Sequence, residues 1–158
     1  MVSDRELRND IAMLKELGQR CFKQRQRLAF YRYLAGAYKL YERLRRNGEA
    51  NKGAQRIRSL CKLPSNRSTH PIRTILDATC SADGKTKSRW TRALQYAWHE
   101  RQRSKNFEKF LRQNGGPSGC ADKFTALHPK PLKGYITFHT PGYQVPLYVH
   151  PDVWPLGK

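Results

Sequence analysis

Negative charge is scarce in this chain: 12 Asp and Glu residues stand against 31 Lys and Arg in 158 residues, a formal net charge of +19 at pH 7. Such an excess creates a positive potential that attracts polyanions, and it charges the compact state against itself. The acids are also dispersed, so nothing resembles the carboxylate cluster of a nuclease that holds divalent metal. Long apolar runs are missing too. No stretch approaches the roughly 18 residues of a membrane span, and the start "MVSDRELRND" is too polar for a signal peptide. A cytoplasmic protein without membrane contact is the expectation. Cys21, Cys61, Cys80 and Cys120 include no CxxC pair, which argues against the common zinc sites and for small buried thiols in a reducing compartment. Neither a phosphate loop nor a GxSxG elbow occurs. No catalytic residue, metal or cofactor is therefore assigned, and the chain does not read as an enzyme.

What is present is helical periodicity. The expected fold class is mainly α: a compact helical domain with helix-turn-helix-like units and a small C-terminal β-hairpin. The hydrophobic fraction of 38% supports a modest core. Two regions are expected, an N-terminal helical one over 1–64 and a helix-turn-helix-like domain with the hairpin over 65–158. In the first, Ser3 and Glu6 make a capping-box pattern. Leu7, Ile11, Leu14, Gly18 and Cys21 follow at 4-3-4-3 spacing, a short heptad-like seam. That seam either pairs two chains into a homodimer through Leu7, Ile11 and Leu14 or folds back on the body. The stretch "RCFKQRQRLAFYRYLAGAYKLYERLRR" over 20–46 then places nine Lys or Arg residues against one acid, Glu42. Phe30, Leu34, Ala37, Tyr41 and Leu44 form its apolar stripe, closed by Asn47-Gly48. A short basic helix closed by Leu63-Pro64 comes next.

In the second region His70-Pro71 starts a helix with Ile72, Ile75, Leu76 and Thr79 inward. The turn "SADG" leads into a helix over 85–103 whose stripe is Trp90, Ala93, Leu94, Ala97 and Trp98. Its opposite face collects Lys85, Ser88, Arg89, Arg92, Gln95, Tyr96, His99 and Arg103. A solvated face normally mixes signs at i, i+4 spacing; here Glu100 is the lone acid, on the flank. Phe107, Phe110 and Leu111 mark a short helix stopped at Asn114-Gly115-Gly116. Another follows with Cys120, Ala121, Phe124 and Leu127 inward. The tail "KGYITFHTPGYQVPLYVHPDVWP" reads as two strands around Pro141-Gly142, with Pro146 placing the second at a sheet edge.

The pattern "DGKTKSRWTRALQYA" followed by "FLRQNGGPSGCADKF" resembles small basic, functionally unassigned proteins of bacterial phages and plasmids, over residues 72–127. The GG-x-x-G-C-A piece is also similar to the first helices of some phage repressor-type helix-turn-helix domains. These resemblances imply an accessory role on a mobile element and assign no site. With the charge, they make a nucleic-acid-binding protein the leading expectation: a DNA-binding regulator or accessory protein, with DNA placed ahead of RNA. The expected contacts are Lys85, Lys87, Arg89, Arg92, Gln95, His99 and Arg103, together with Arg25, Arg27, Arg32 and Lys39. Arg89, Arg92, Gln95 and His99 carry side chains suited to base edges if their helix enters a major groove. Two alternatives stand beside this one. The first is a protein-directed inhibitor or assembly factor of anti-CRISPR type acting on a nucleic-acid machine, with a protein partner at the hairpin edge. The second is RNA binding through tyrosines stacked on unpaired bases.

Overall fold

Helix starts and stops in this protein follow from side chains adjacent to each end. The computed structural model describes residues 2–24, 27–64 and 69–129, and the hairpin expected beyond residue 132 lies outside them. Helix α1 (Asp4–Gln24) opens on the capping box: Glu6 N–H donates to Ser3 Oγ at 3.2 Å, and Ser3 N–H donates to Glu6 Oε2 at 2.8 Å. These bonds hold the Glu6 carboxyl below its ordinary pKa. Helix α4 (Pro71–Thr79) begins with proline in its first turn, and the Ile72 N–H donates to Nδ1 of His70 at 3.2 Å. Helix α5 (Gly84–His99) is capped by Asp83, whose Oδ1 accepts from Lys85 N–H at 2.8 Å and Thr86 N–H at 2.9 Å.

Three helices end in the same left-handed reversal, in which the N–H of the second residue past the cap reaches back five residues. Helix α2 (Arg27–Arg46) closes with Gly48 at φ 69°, and Glu49 N–H donates to Leu44 C=O at 2.9 Å. Helix α3 (Ala50–Cys61) uses Lys62 at φ 51°, with Leu63 N–H donating to Arg58 C=O at 3.0 Å and Pro64 following. In α5 the reversal is Arg101 at φ 52°, with Gln102 N–H donating to Ala97 C=O at 2.9 Å. This stop shortens the helix expected over 85–103. Arg103 lies beyond it, at the entry to a 3-10 turn over Ser104–Asn106. Helices α6 (Phe107–Gln113) and α7 (Gly116–Leu127) complete the described residues.

The core is built around α2, which contacts α1, α3, α4, α5, α6 and the 3-10 turn. Tyr31, Tyr33, Leu34, Ala37, Tyr38, Leu40, Tyr41 and Leu44 are all buried, so the buried arc of α2 is far wider than the stripe its periodicity suggested. Two of the phenols find hydrogen-bond partners. Tyr33 Oη lies 2.8 Å from Thr79 Oγ1; that hydroxyl already donates to Ile75 C=O at 2.7 Å, so the tyrosine is the donor. Tyr38 O–H donates to Gln102 C=O at 2.7 Å while its ring stacks on Phe107 at 4.8 Å. Burial pushes both phenols well above their ordinary pKa, keeping them neutral donors.

This packing decides between the alternatives left open for the seam. Leu7, Ile11 and Leu14 are 0%, 5% and 1% exposed, because α1 lays its seam on α2 within the same chain. The seam is core and leaves no apolar stripe for a homodimer. Gly18, in the same seam, permits the closest approach: a Cβ there would lie 2.6 Å from Thr79 O of α4. Packing among the described residues also runs across position 64, where the sequence divided the chain into two regions. One compact unit spans Met1–Leu127, since α1, α2 and α3 all pack on α4. Trp90, Ala93, Leu94 and Ala97 are buried as their spacing required, whereas Leu127, expected inward, is 48% exposed.

Two outcomes follow from these ends. Gly48 has open space around its Cα, so Gly48→Ala isolates the backbone term and should lower stability by about 1 kcal/mol in chemical denaturation. Arg101→Gly should act with the opposite sign by relieving the left-handed strain. The second outcome concerns pH. Burial, helped by Arg45, lowers the pKa of His70 below its ordinary value of 6.5. The unfolded chain therefore takes up this proton first. His70 contributes its full stabilisation above pH 6.5 and loses it as pH falls below that value toward the lowered folded pKa. His70→Asn keeps a capping acceptor without titrating. The stability difference between the two proteins should shift in the variant's favour from about pH 6.5 to 5; a constant difference would remove His70 from the pH response.

Candidate nucleic-acid interface

The acids of the described residues are mostly engaged in holding the fold together. Asp4 pairs with Arg56, Asp10 with Arg43, Glu16 with Arg20, and Asp77 with both Arg73 and Lys87. Glu42, buried at 7% exposure, accepts from Arg46 at 2.7 Å and from Ser104 N–H at 3.2 Å, tying the 3-10 turn to α2. Glu6 and Asp83 cap helices, Glu49 accepts from Val2 N–H at 3.0 Å, and Glu100 lies against His99 at 3.1 Å. Outside the six cations named here, the Lys and Arg residues of the described segments have no carboxylate of the described residues within ion-pair distance. The positive excess is therefore presented outward.

The expected α5 contacts separate into several environments. Lys85 and Arg89 are exposed on its first turns. Lys87 is turned toward α4, its side chain 13% exposed and its Nζ 3.2 Å from Asp77. Arg92 is held by α7, donating from Nη1 to Thr125 Oγ1 at 3.1 Å, with its Nε buried and unpartnered among the described residues. Helix α7 runs back along α5 at this point, and the Cys120 region lies near Tyr96. Gln95 is half-buried, His99 is exposed beside Glu100, and Arg103 stands past the helix end. Arg89, Arg92, Gln95 and His99 are thus not one free row, because α7 packs along the helix between them.

On α2 the arrangement is simpler. Arg32 and Lys39, two turns apart, stand exposed on one stripe with Arg46 a further two turns on. Arg27 is exposed at the start of the helix, and Arg25 lies outside the described residues. Three further exposed cations were missed by the sequence reading: Lys105, Lys109 and Arg112, at i, i+4 and i+7 from the 3-10 turn into α6. Their spacing was visible, but Phe107, Phe110 and Leu111 drew that segment into the core alone. Arg112 lies over the Tyr31 ring, its Cζ 5.9 Å from the centroid.

Among the described residues no three His, Cys, Asp or Glu side chains converge on a point that suits a metal ion, and no helix is long and apolar enough to cross a membrane. Burial pushes the Cys120 thiol up to about 11, leaving it a thiol rather than a thiolate at neutral pH. Comparison with protein-family models, with curated proteins and with solved structures gives no match.

The contrast between two α5 arginines is measurable. Arg92→Ala removes the Thr125 hydrogen bond and the packing of its stem, and should cost about 1 kcal/mol in thermal melting. Arg89→Ala should stay within about 0.5 kcal/mol of the parent, as expected for an exposed side chain without partners.

Proposed function

We propose that this protein binds nucleic acid chiefly through phosphate contacts made by its outward-facing cations, with duplex DNA as the preferred partner. The observation that carries this reading is the engagement of the carboxylates. With so many of them committed to caps and intramolecular pairs, the cations of α2, α5, α6 and the connecting 3-10 turn meet solvent uncompensated. Phosphates release condensed counterions when such side chains bind them, and this term is independent of base sequence. Arg27, Arg32, Lys39, Lys85, Arg89, His99 and Arg103 remain the expected contacts that are exposed, and Lys105, Lys109 and Arg112 join them.

Duplex contact is favoured over base stacking by the burial of Tyr31, Tyr33, Tyr38 and Tyr41, whose rings pack inside the protein. Base readout along α5 is disfavoured by α7, so affinity is expected to depend weakly on sequence. A regulatory or accessory role on a mobile element, as the resemblance over 72–127 implies, is compatible with such binding. The opposing reading, a protein-directed inhibitor, predicts no salt-dependent affinity for nucleic acid.

Engaging roughly six to ten phosphates gives a log–log salt slope of about −5 to −9 on duplex DNA. Arg32→Ala combined with Lys39→Ala should reduce the magnitude of that slope by about 2 with unchanged melting temperature. A flat salt response, or no binding at low salt, would transfer support to the protein-directed reading.

A further inference from the structure

Where α2 begins, it faces the turn between α6 and α7, and the two leave a cleft of about 610 Å³. Among the described residues its lining is Arg27, Leu28, Tyr31, Arg112, Gly115 and Gly116, without a carboxylate. The two guanidinium groups come from helices far apart in sequence, and neither has an acid partner among the described residues. Like charges brought into one cleft repel, so this convergence costs the fold energy unless an anion stands between them. Arg112 is steadied by the Tyr31 ring beneath it. Leu28, 42% exposed, supplies an apolar wall. At Gly116, φ 74°, a Cβ would lie 3.4 Å from the Tyr31 hydroxyl, so the glycine keeps the floor at backbone level beside that O–H.

We propose that this cleft is a nucleotide-phosphate site. Arg27 and Arg112 clamp the phosphoryl oxygens, the Tyr31 hydroxyl donates to one of them, and Leu28 flanks the sugar or base. Paired guanidinium groups suit phosphate because their planar forks donate two hydrogen bonds at a time. The cleft volume falls in the roughly 300–1,000 Å³ range of small-molecule sites. The phosphate belongs either to a nucleic-acid strand or to a free nucleotide. The strand version rests on the function proposed above.

The test uses the full chain, labelled 5′-phosphorylated oligonucleotides and ADP. Arg27→Gln with Arg112→Gln removes two charges from the cleft; Arg5→Gln with Lys52→Gln removes two exposed charges elsewhere. The cleft pair should weaken oligonucleotide binding by about tenfold or more at fixed salt, and the control pair by less than about threefold. Tyr31→Phe should keep the melting temperature and weaken binding about threefold. Amide NMR shifts at Gly115 and Gly116 on adding ADP assign the site to free nucleotides as well; shifts with oligonucleotide alone assign it to strand phosphates. Equal losses from the two pairs, without Gly115 or Gly116 shifts, would overturn the cleft while leaving nucleic-acid binding in place. Shifts with ADP and no oligonucleotide binding would keep the cleft and overturn the broader reading. Absence of both signals overturns both.

Discussion

Helix α2 buries four tyrosines, and the hydroxyls of Tyr33 and Tyr38 constrain what packs against them. A buried hydroxyl without a partner costs about 1–3 kcal/mol. Tyr33 therefore requires the Thr79 hydroxyl at the end of α4, and Tyr38 requires the Gln102 carbonyl just past α5. These two bonds anchor the end of α4 and the chain leaving α5 to α2. Glu42 adds a third tie on the same helix by accepting from Ser104 N–H, so the connector from α5 to α6 is held at two points and stacked on Tyr38 through Phe107. Phe30 and Tyr33 also meet Trp90, at 4.8 and 6.1 Å, which joins α5 to the same helix.

The electrostatics follow from that arrangement. A chain at +19 folds against its own repulsion, and its few acids are worth most where they tie separate elements together. Asp10, Glu42 and Asp77 each join two elements, and Asp4 and Glu49 tie the N-terminal end to α3 and its entry. Individually such pairs contribute about 0–1 kcal/mol. Collectively they decide the sign of the surface, because an acid held inside a structural pair no longer screens an exposed lysine two turns away. The outward positive charge and the cohesion of the fold thus depend on the same small set of carboxylates.

Helices α4 and α5, joined over residues 80–83, are a tight two-helix unit, and α6 with α7 form a second. Such units serve as DNA readers when the second helix is free along its outer face. Here α7 lies along α5 and holds Arg92, while Asp77 holds Lys87 on the other flank. Lys85 and Arg89 stay open on the first turns of α5, and His99 at its end. Positive charge is consequently spread over several elements rather than concentrated on one helix, a distribution suited to backbone contact and poorly suited to reading bases.

Local chemistry was legible in the sequence wherever one turn of chain decides the outcome. Ser3 with Glu6, His70 with Pro71, Asp83, and Asn47-Gly48 mark helix ends because a cap needs only a neighbouring donor or acceptor. The Trp90, Ala93, Leu94 and Ala97 stripe was legible for the same reason, since helical period alone puts those residues on one side. The left-handed Arg101 was not, because an arginine carries no turn signal, and it moved Arg103 off the helix. Likewise, a heptad seam reads the same whether Leu7, Ile11 and Leu14 meet a second chain or α2 of their own. Net charge by itself determined that this protein presents a cationic surface. Which cations are free was decided only by tertiary structure, because pairing depends on residues distant in sequence: Asp77 removes Lys87, Thr125 removes Arg92, and the packing of α2 against the α6–α7 turn brings Arg27 and Arg112 into one cleft.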